Sequence, residues 1–182
     1  QEKEVLNILY ENIRNIDALV LSDYNKGFLT DSLINEVIKL CKKAKIKTYL
    51  DPKYRDIMIY KNINVLKANK KEASYLSEIE ISDQISLQKA SRKIFDSLKL
   101  ELLIITLSEE GCLMYDGRKF YSLKSFSKGL IDVTGAGDTF FSSFISRFHE
   151  KQNELDSLKF ASYSSAISLK KMGCYSPSKD EI

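Results

Sequence analysis

Asp132-Val133-Thr134-Gly135-Ala136-Gly137-Asp138-Thr139 is followed by Phe140, Phe141, Phe144, Ile145 and Phe148 at helical spacing. A glycine turn therefore opens directly into an amphipathic helix, with an acid in the first turn. Glycine lets the backbone come close to a ligand, and the free N–H groups of a helix start attract anions. Asp138 is then either an electrostatic filler of the helix start or a base facing a bound phosphate.

Outward from this loop, strands and helices alternate. Apolar runs at 17–22, 46–50, 63–68 and 101–106 predict buried strands. Between them, helices are expected from Thr30-Asp31 to about 44, from Lys70 to about 76, and from Ser82-Asp83 to about 98. Asp116-Gly117 marks a hairpin between 111–115 and 118–123, and helices at 136–149 and 154–171 close the chain. An amphipathic helix with Val5, Leu9, Ile13 and Ile16 on one face opens it. This alternation implies βαβ units and a mostly parallel sheet.

Ligands of such sheets sit beyond the carboxyl ends of the strands. Asp23, Asp51, Asn69 and Thr106 each end one of the four runs, so four hydrogen-bonding groups are expected on one rim. The glycine loop is not a Walker A loop, which needs Gly-x-x-x-x-Gly-Lys-Ser/Thr. Nor is it a dinucleotide fingerprint, because Phe140 stands where the third glycine belongs. Main-chain N–H groups and a helix N-terminus beside an acid match what phosphoryl transfer requires: donors for the moving charge and a base for the attacking hydroxyl.

The bulk composition narrows the classes. At 182 residues the chain is long enough for one well-buried domain. The net charge of +3 is spread over isolated lysine pairs, which argues against nucleic acid as partner. No apolar run is long enough to span a membrane, and no membrane partner is expected. Three scattered cysteines, with Cys41 on an apolar helix face, fit a reducing cytoplasm and no metal site. The one histidine, His149, falls at a helix end, so a Ser-His-Asp triad or histidine metal centre is not expected.

The segment 132–139 resembles the carboxyl-terminal signature of the ribokinase-like carbohydrate kinases, and Asn69-Lys70-Lys71-Glu72 is similar to their Asn-x-x-Glu motif. The resemblance implies a three-layer αβα fold, with Asp138 as catalytic base and Gly135, Ala136 and Gly137 as anion hole. It also implies ATP and Mg²⁺ as cofactors near Asn69, Lys70, Lys71 and Glu72, the metal held indirectly through Glu72 and the phosphates. Leu21–Gly27, Leu50–Lys53 with Arg55-Asp56, and Thr106–Gly111 resemble the kinase domain of the D-glycero-β-D-manno-heptose 7-phosphate kinases.

That domain is usually joined to an adenylyltransferase. Ser108, where ribokinases usually have glycine, favours this branch. Thr106, Ser108 and Gly111 are implied on the ATP side, and Asp23, Lys26, Asp51 and Lys53 as sugar-phosphate or phosphate contacts. The small residues Ala161, Ser162, Ser164, Ser165 and Ala166 either flank the adenine or pack a helix. Residues 1–182 are expected to be the carboxyl-terminal portion of one kinase domain. Its amino-terminal sugar site and lid are not recognisable, and a homodimer is expected at full length. The expected reaction is phosphorylation of the heptose phosphate at O1 on the route to ADP-heptose and lipopolysaccharide core. This portion alone could be inactive. Another ribokinase- or phosphofructokinase-type sugar kinase, or a non-catalytic nucleotide-binding module, is the alternative.

Overall fold

The structure, a computed structural model, describes residues 1–126, 131–178 and 180–182. In chain order come α1 (Glu2–Asn12), β1 (Ala18–Ser22), α2 (Asp31–Ala44), β2 (Lys47–Asp51), β3 (Val65–Asn69), α3 (Lys70–Ser77), α4 (Gln84–Leu98), β4 (Leu102–Thr106), β5 (Cys112–Tyr115), β6 (Phe120–Leu123), α5 (Ala136–Lys151) and α6 (Glu154–Ser168). The expected elements are all present, with ends displaced by a few residues. A 3₁₀ turn at Ile57–Tyr60 was not foreseen, because four residues carry no usable period.

The strands form one sheet in the order β1-β2-β3-β4-β5-β6, and the first four pair in parallel. Register puts Leu21 beside Leu50, Leu50 beside Leu66, and Leu66 beside Leu103. All four leucines are buried. Further along the same direction the strands reach polar ends: Ser22 pairs with Asp51 one residue beyond Leu21 and Leu50, and Asn69 with Thr106 three residues beyond Leu66 and Leu103. The apolar centre thus fixes which residues stand on the rim.

Contacts divide the chain into two compact units, residues 1–106 with 114–120, and residues 107–113 with 121–182. In the first, α2 buries Leu33, Ile34, Val37, Ile38, Leu40 and Cys41 along one face, and Thr30 caps its start by accepting from Leu33 N–H at 3.2 Å. Asp83 caps α4 in the same way through Ser86 N–H. Helix α1 buries none of its residues, and the face expected to be apolar is only half-covered.

In the second unit α5 packs on α6. Helix α5 buries Phe140, Phe141, Phe144 and Phe148. Ala161 and Ser164 are fully buried on α6, so these small residues serve helix packing. Helix α6 stops at Ser168, three residues early: Lys170 and Lys171 N–H turn to Ile167 O and Ser168 O (3.1 and 3.0 Å) in a tightened last turn, and the Leu169 carbonyl accepts from Ile131 and Asp132 N–H (2.9 and 3.3 Å). Among the described residues no helix is long and apolar enough to cross a membrane.

Leu66 sits at 0% exposure in the third of four parallel strands. Leu66→Ala is expected to cost about 2–5 kcal/mol in urea unfolding, since the rigid sheet on either side cannot close the cavity.

Candidate active site

The transition from β3 to α3 carries the most ordered chemistry. Asn69 ends the strand and caps the helix: its side-chain oxygen accepts from Glu72 N–H at 2.9 Å. Glu72 returns the bond, Oε2 accepting from Asn69 N–H at 2.8 Å. This reciprocal capping box is why an Asn and a Glu occur three residues apart here. Glu72 is 2% exposed, although carboxylates are seldom buried without a partner. Its partner is Lys53, whose Nζ donates to Oε1 at 2.6 Å. Burial works against the Lys53 charge, but the hydrogen bond and charge of Glu72 outweigh it and raise its pKa.

Beside this pair, Asp51 ends β2 at 7% exposure and accepts from buried Lys67 Nζ at 2.8 Å through Oδ2. Its other oxygen, Oδ1, is buried with no hydrogen-bond partner among the described residues. Desolvation raises the Asp51 pKa against the pull of Lys67, and the neighbouring Glu72 charge raises it further. Two carboxylates, two ammonium groups and one unsatisfied buried oxygen thus share the ends of β2 and β3. Such an oxygen fits an added donor or cation. Among the described residues no three His, Cys, Asp or Glu side chains form a complete metal cage.

Asp23 has a different role from an open rim contact. At 3% exposure it accepts from Asn25 N–H (2.7 Å), from Arg55 Nη1 (2.9 Å) and from the Tyr60 hydroxyl. Arg55 also donates to Leu29 O and pairs with Asp31. Asp23 therefore ties the turn after β1 to the segment after β2. Lys26 lies exposed in that turn, with no ion pair among the described residues. Lys71 is exposed and Lys70 half-exposed at the start of α3. Thr106 ends β4 beside Asn69.

In the second unit, Gly135 is the N-cap of α5 in the left-handed region (φ 74°), and no side chain caps this helix. A Cβ on Gly135 would lie 3.0 Å from Cys174 Sγ and 3.3 Å from Cys174 Cα. Conformation and crowding both require glycine here. Asp138 is exposed in the first turn. The loop is braced by Asp132, which accepts from Thr134 N–H (2.9 Å), Thr134 Oγ1 (2.7 Å) and Gly173 N–H (2.8 Å). These donors, the Thr134 hydroxyl first, hold the Asp132 carboxyl down at about 2. Ser108 has φ 54°. Gly111 has φ 102° and would place a Cβ 2.0 Å from Leu123 O, so the tight backbone turn alone demands that glycine.

Arg55, Tyr60, Lys67 and Asp132 were not assigned roles by sequence reasoning. Only Lys67 left a clear signal, a lysine inside an apolar parallel strand, where an ammonium needs a buried counter-charge.

Comparison with known proteins agrees with the geometry. The pfkB family carbohydrate kinase model matches residues 1–181, and the chain belongs to this family. The bifunctional protein HldE of Campylobacter curvus is 34% identical over 181 residues, and that of Sulfurimonas denitrificans 38% over 178. The alignments take in 100% and 98% of this chain but only 38% and 37% of those proteins, so the chain spans little more than a third of their length. Among solved structures, phosphofructokinase-2 from Escherichia coli in complex with potassium matches with a TM-score of 0.83 at 20% identity, covering 96% of this chain and 59% of that one. Arabidopsis thaliana ribokinase complexed with ribose and ATP matches with a TM-score of 0.79 at 24% identity, covering 90% and 53%. The fold is thus the three-layer α/β fold of ribokinase-like kinases.

The Asp132 brace makes a pH prediction. Its folded pKa lies below the ordinary 3.8, so its contribution is complete above about pH 4 and is lost as pH falls through about 2. A carboxyl NMR titration should place the Asp132 midpoint near 2. A midpoint at the ordinary 3.8 would mean that the three donors do not hold it.

Proposed function

We propose that the chain supplies the ATP-facing part and the catalytic base of an ATP-dependent sugar kinase. Its acceptor is D-glycero-β-D-manno-heptose 7-phosphate, phosphorylated at O1. The observation that carries this reading is the Asn69–Glu72 capping box with its buried, cation-paired carboxylate, in a chain that also holds the uncapped Gly135–Asp138 helix start and matches the kinase family over residues 1–181.

In this reading the N–H groups of Gly137 and Asp138 in the first turn of α5 receive the γ-phosphate, since among the described residues no side chain caps this helix, while the Ala136 N–H is taken by Val133 O at 3.3 Å. Asp138 accepts the proton of the sugar's anomeric hydroxyl. That oxygen bonds to the γ-phosphorus as the bond to the ADP oxygen breaks, and the products are ADP and the 1,7-bisphosphate. Asp132 keeps the loop in shape. Glu72, with Asp51 beside it, would hold Mg²⁺ through water or directly. When bound, the ion supplies charge neutralisation for the phosphate oxygens. Lys26 and Lys53 are the cations available to phosphate, and Thr106, Ser108 and Gly111 belong to the nucleotide side.

The name of the HldE relatives, bifunctional protein, fits a kinase fused to a second activity. The product would then pass to adenylyl transfer, toward ADP-heptose and lipopolysaccharide core. A homodimer in the cytoplasm is the expected setting.

Asp138→Asn in the full-length protein is expected to lower turnover about 10²- to 10⁴-fold with little change in ATP affinity, as loss of a general base does. Near-normal turnover would remove Asp138 from that role. A panel of the heptose 7-phosphate, ribose and fructose 6-phosphate tests the acceptor. Preference for either of the latter two would overturn the heptose assignment while leaving the kinase intact.

A further inference from the structure

Lys53 is held in a place that a phosphate ligand does not explain. Its ammonium sits 2.6 Å from Glu72 Oε1, on the one oxygen of that carboxylate which the capping box leaves over. Glu72 is buried, while the Lys53 side chain is 36% exposed and so has a way out to solvent. Lys67, in contrast, is 5% exposed and committed to Asp51. The cluster therefore contains one fixed cation and one that can leave. Next to it stands the unsatisfied Asp51 Oδ1.

We infer that Lys53 is a positioning residue that serves as the resident counter-cation of Glu72 and couples metal entry to phosphate entry. Without phosphate, its ammonium neutralises Glu72 and repels a divalent ion from the Asp51–Glu72 pair. When phosphate oxygens arrive, the ammonium moves to them, and the freed Glu72 carboxylate, with Asp51 Oδ1 beside it, accepts the ion. Metal and phosphate then load together, and neither buried carboxylate is left unpaired at any stage. Leaving a buried charge without a partner is the costly alternative. This inference rests on the kinase reading for its phosphate ligand, but the electrostatic part rests on the cluster alone.

The test is metal binding in the full-length protein without turnover. Free Mn²⁺ is followed by electron paramagnetic resonance, with and without inorganic tripolyphosphate. In the unmodified protein, tripolyphosphate should tighten Mn²⁺ binding beyond the chelation measured for tripolyphosphate alone. Lys53→Met should tighten phosphate-free Mn²⁺ binding by about fivefold or more, the size expected for removing a half-exposed like charge next to the site. It should also reduce the dependence on tripolyphosphate. Lys53→Arg, which keeps the charge, should stay within about twofold of the unmodified protein. In Lys53→Met/Glu72→Gln the gain should vanish, because the carboxylate that attracts the ion is gone.

Unchanged or weaker Mn²⁺ binding in Lys53→Met, with the melting temperature and circular dichroism of a folded protein, would overturn the proposal. If Lys53→Met does not fold, Lys53→Gln is read by the same criteria. A gain that persists in the double variant would also overturn it. Failure of the Asp138→Asn experiment would leave these binding outcomes unaffected, so the two ideas fail separately.

Discussion

The buried carboxylate of Glu72 is the constraint on which the rest of the first unit depends. One oxygen closes the capping box that starts α3, and the other takes the ammonium of Lys53 from the segment after β2. A carboxylate at 2% exposure cannot stand alone in a low-dielectric interior. The same atom group therefore dictates where α3 begins, where Lys53 lies, and which oxygens face the rim. Asp51 and Lys67 repeat the arrangement one step away.

The second unit solves a different problem. Among the described residues its helix α5 begins without a side-chain cap, on Gly135 in a left-handed conformation that favours glycine. Helix starts usually carry Ser, Thr, Asp or Asn; among the described residues this one has no side-chain cap, and only the Ala136 N–H is shown taken, by Val133 O at 3.3 Å. The loop is held from outside by Asp132, through bonds to Thr134 and Gly173. Rigidity thus comes from a side chain that does not itself cap the helix start. Family membership and these two local devices agree in pointing to phosphoryl transfer.

Much of this was legible in the chain. β2, β3 and β4 stand out as short apolar runs because both their faces are covered, whereas β1, expected to be buried as well, buries only Leu21 and leaves Val20 46% exposed. Thr30 and Asp83 appear as polar residues just ahead of helical spacing, and Asn69 as the polar residue that ends an apolar run. Asn69, Glu72 and the Gly135–Asp138 loop were legible because each motif is local, its partners within a few residues. The same locality hid the rest. Lys53 is 19 residues from Glu72, Arg55 is 32 from Asp23, and Asp132 is 41 from Gly173, so no window of sequence contains these pairs. The Ile57–Tyr60 turn was hidden for lack of length.

By itself, then, the sequence determined the alternation of strands and helices, the order in which polar residues meet the rim, and the two motifs that define the family. Periodicity and capping depend on neighbours only a few residues away, which a linear text records. Tertiary structure alone decided which charges neutralise one another. It made Asp23 a clamp instead of a free ligand group, turned Lys53 toward Glu72, and left Asp51 Oδ1 without a partner among the described residues. Those outcomes follow from the cost of burying charge, and that cost is set by what the folded chain brings within a few ångströms, at any separation in sequence.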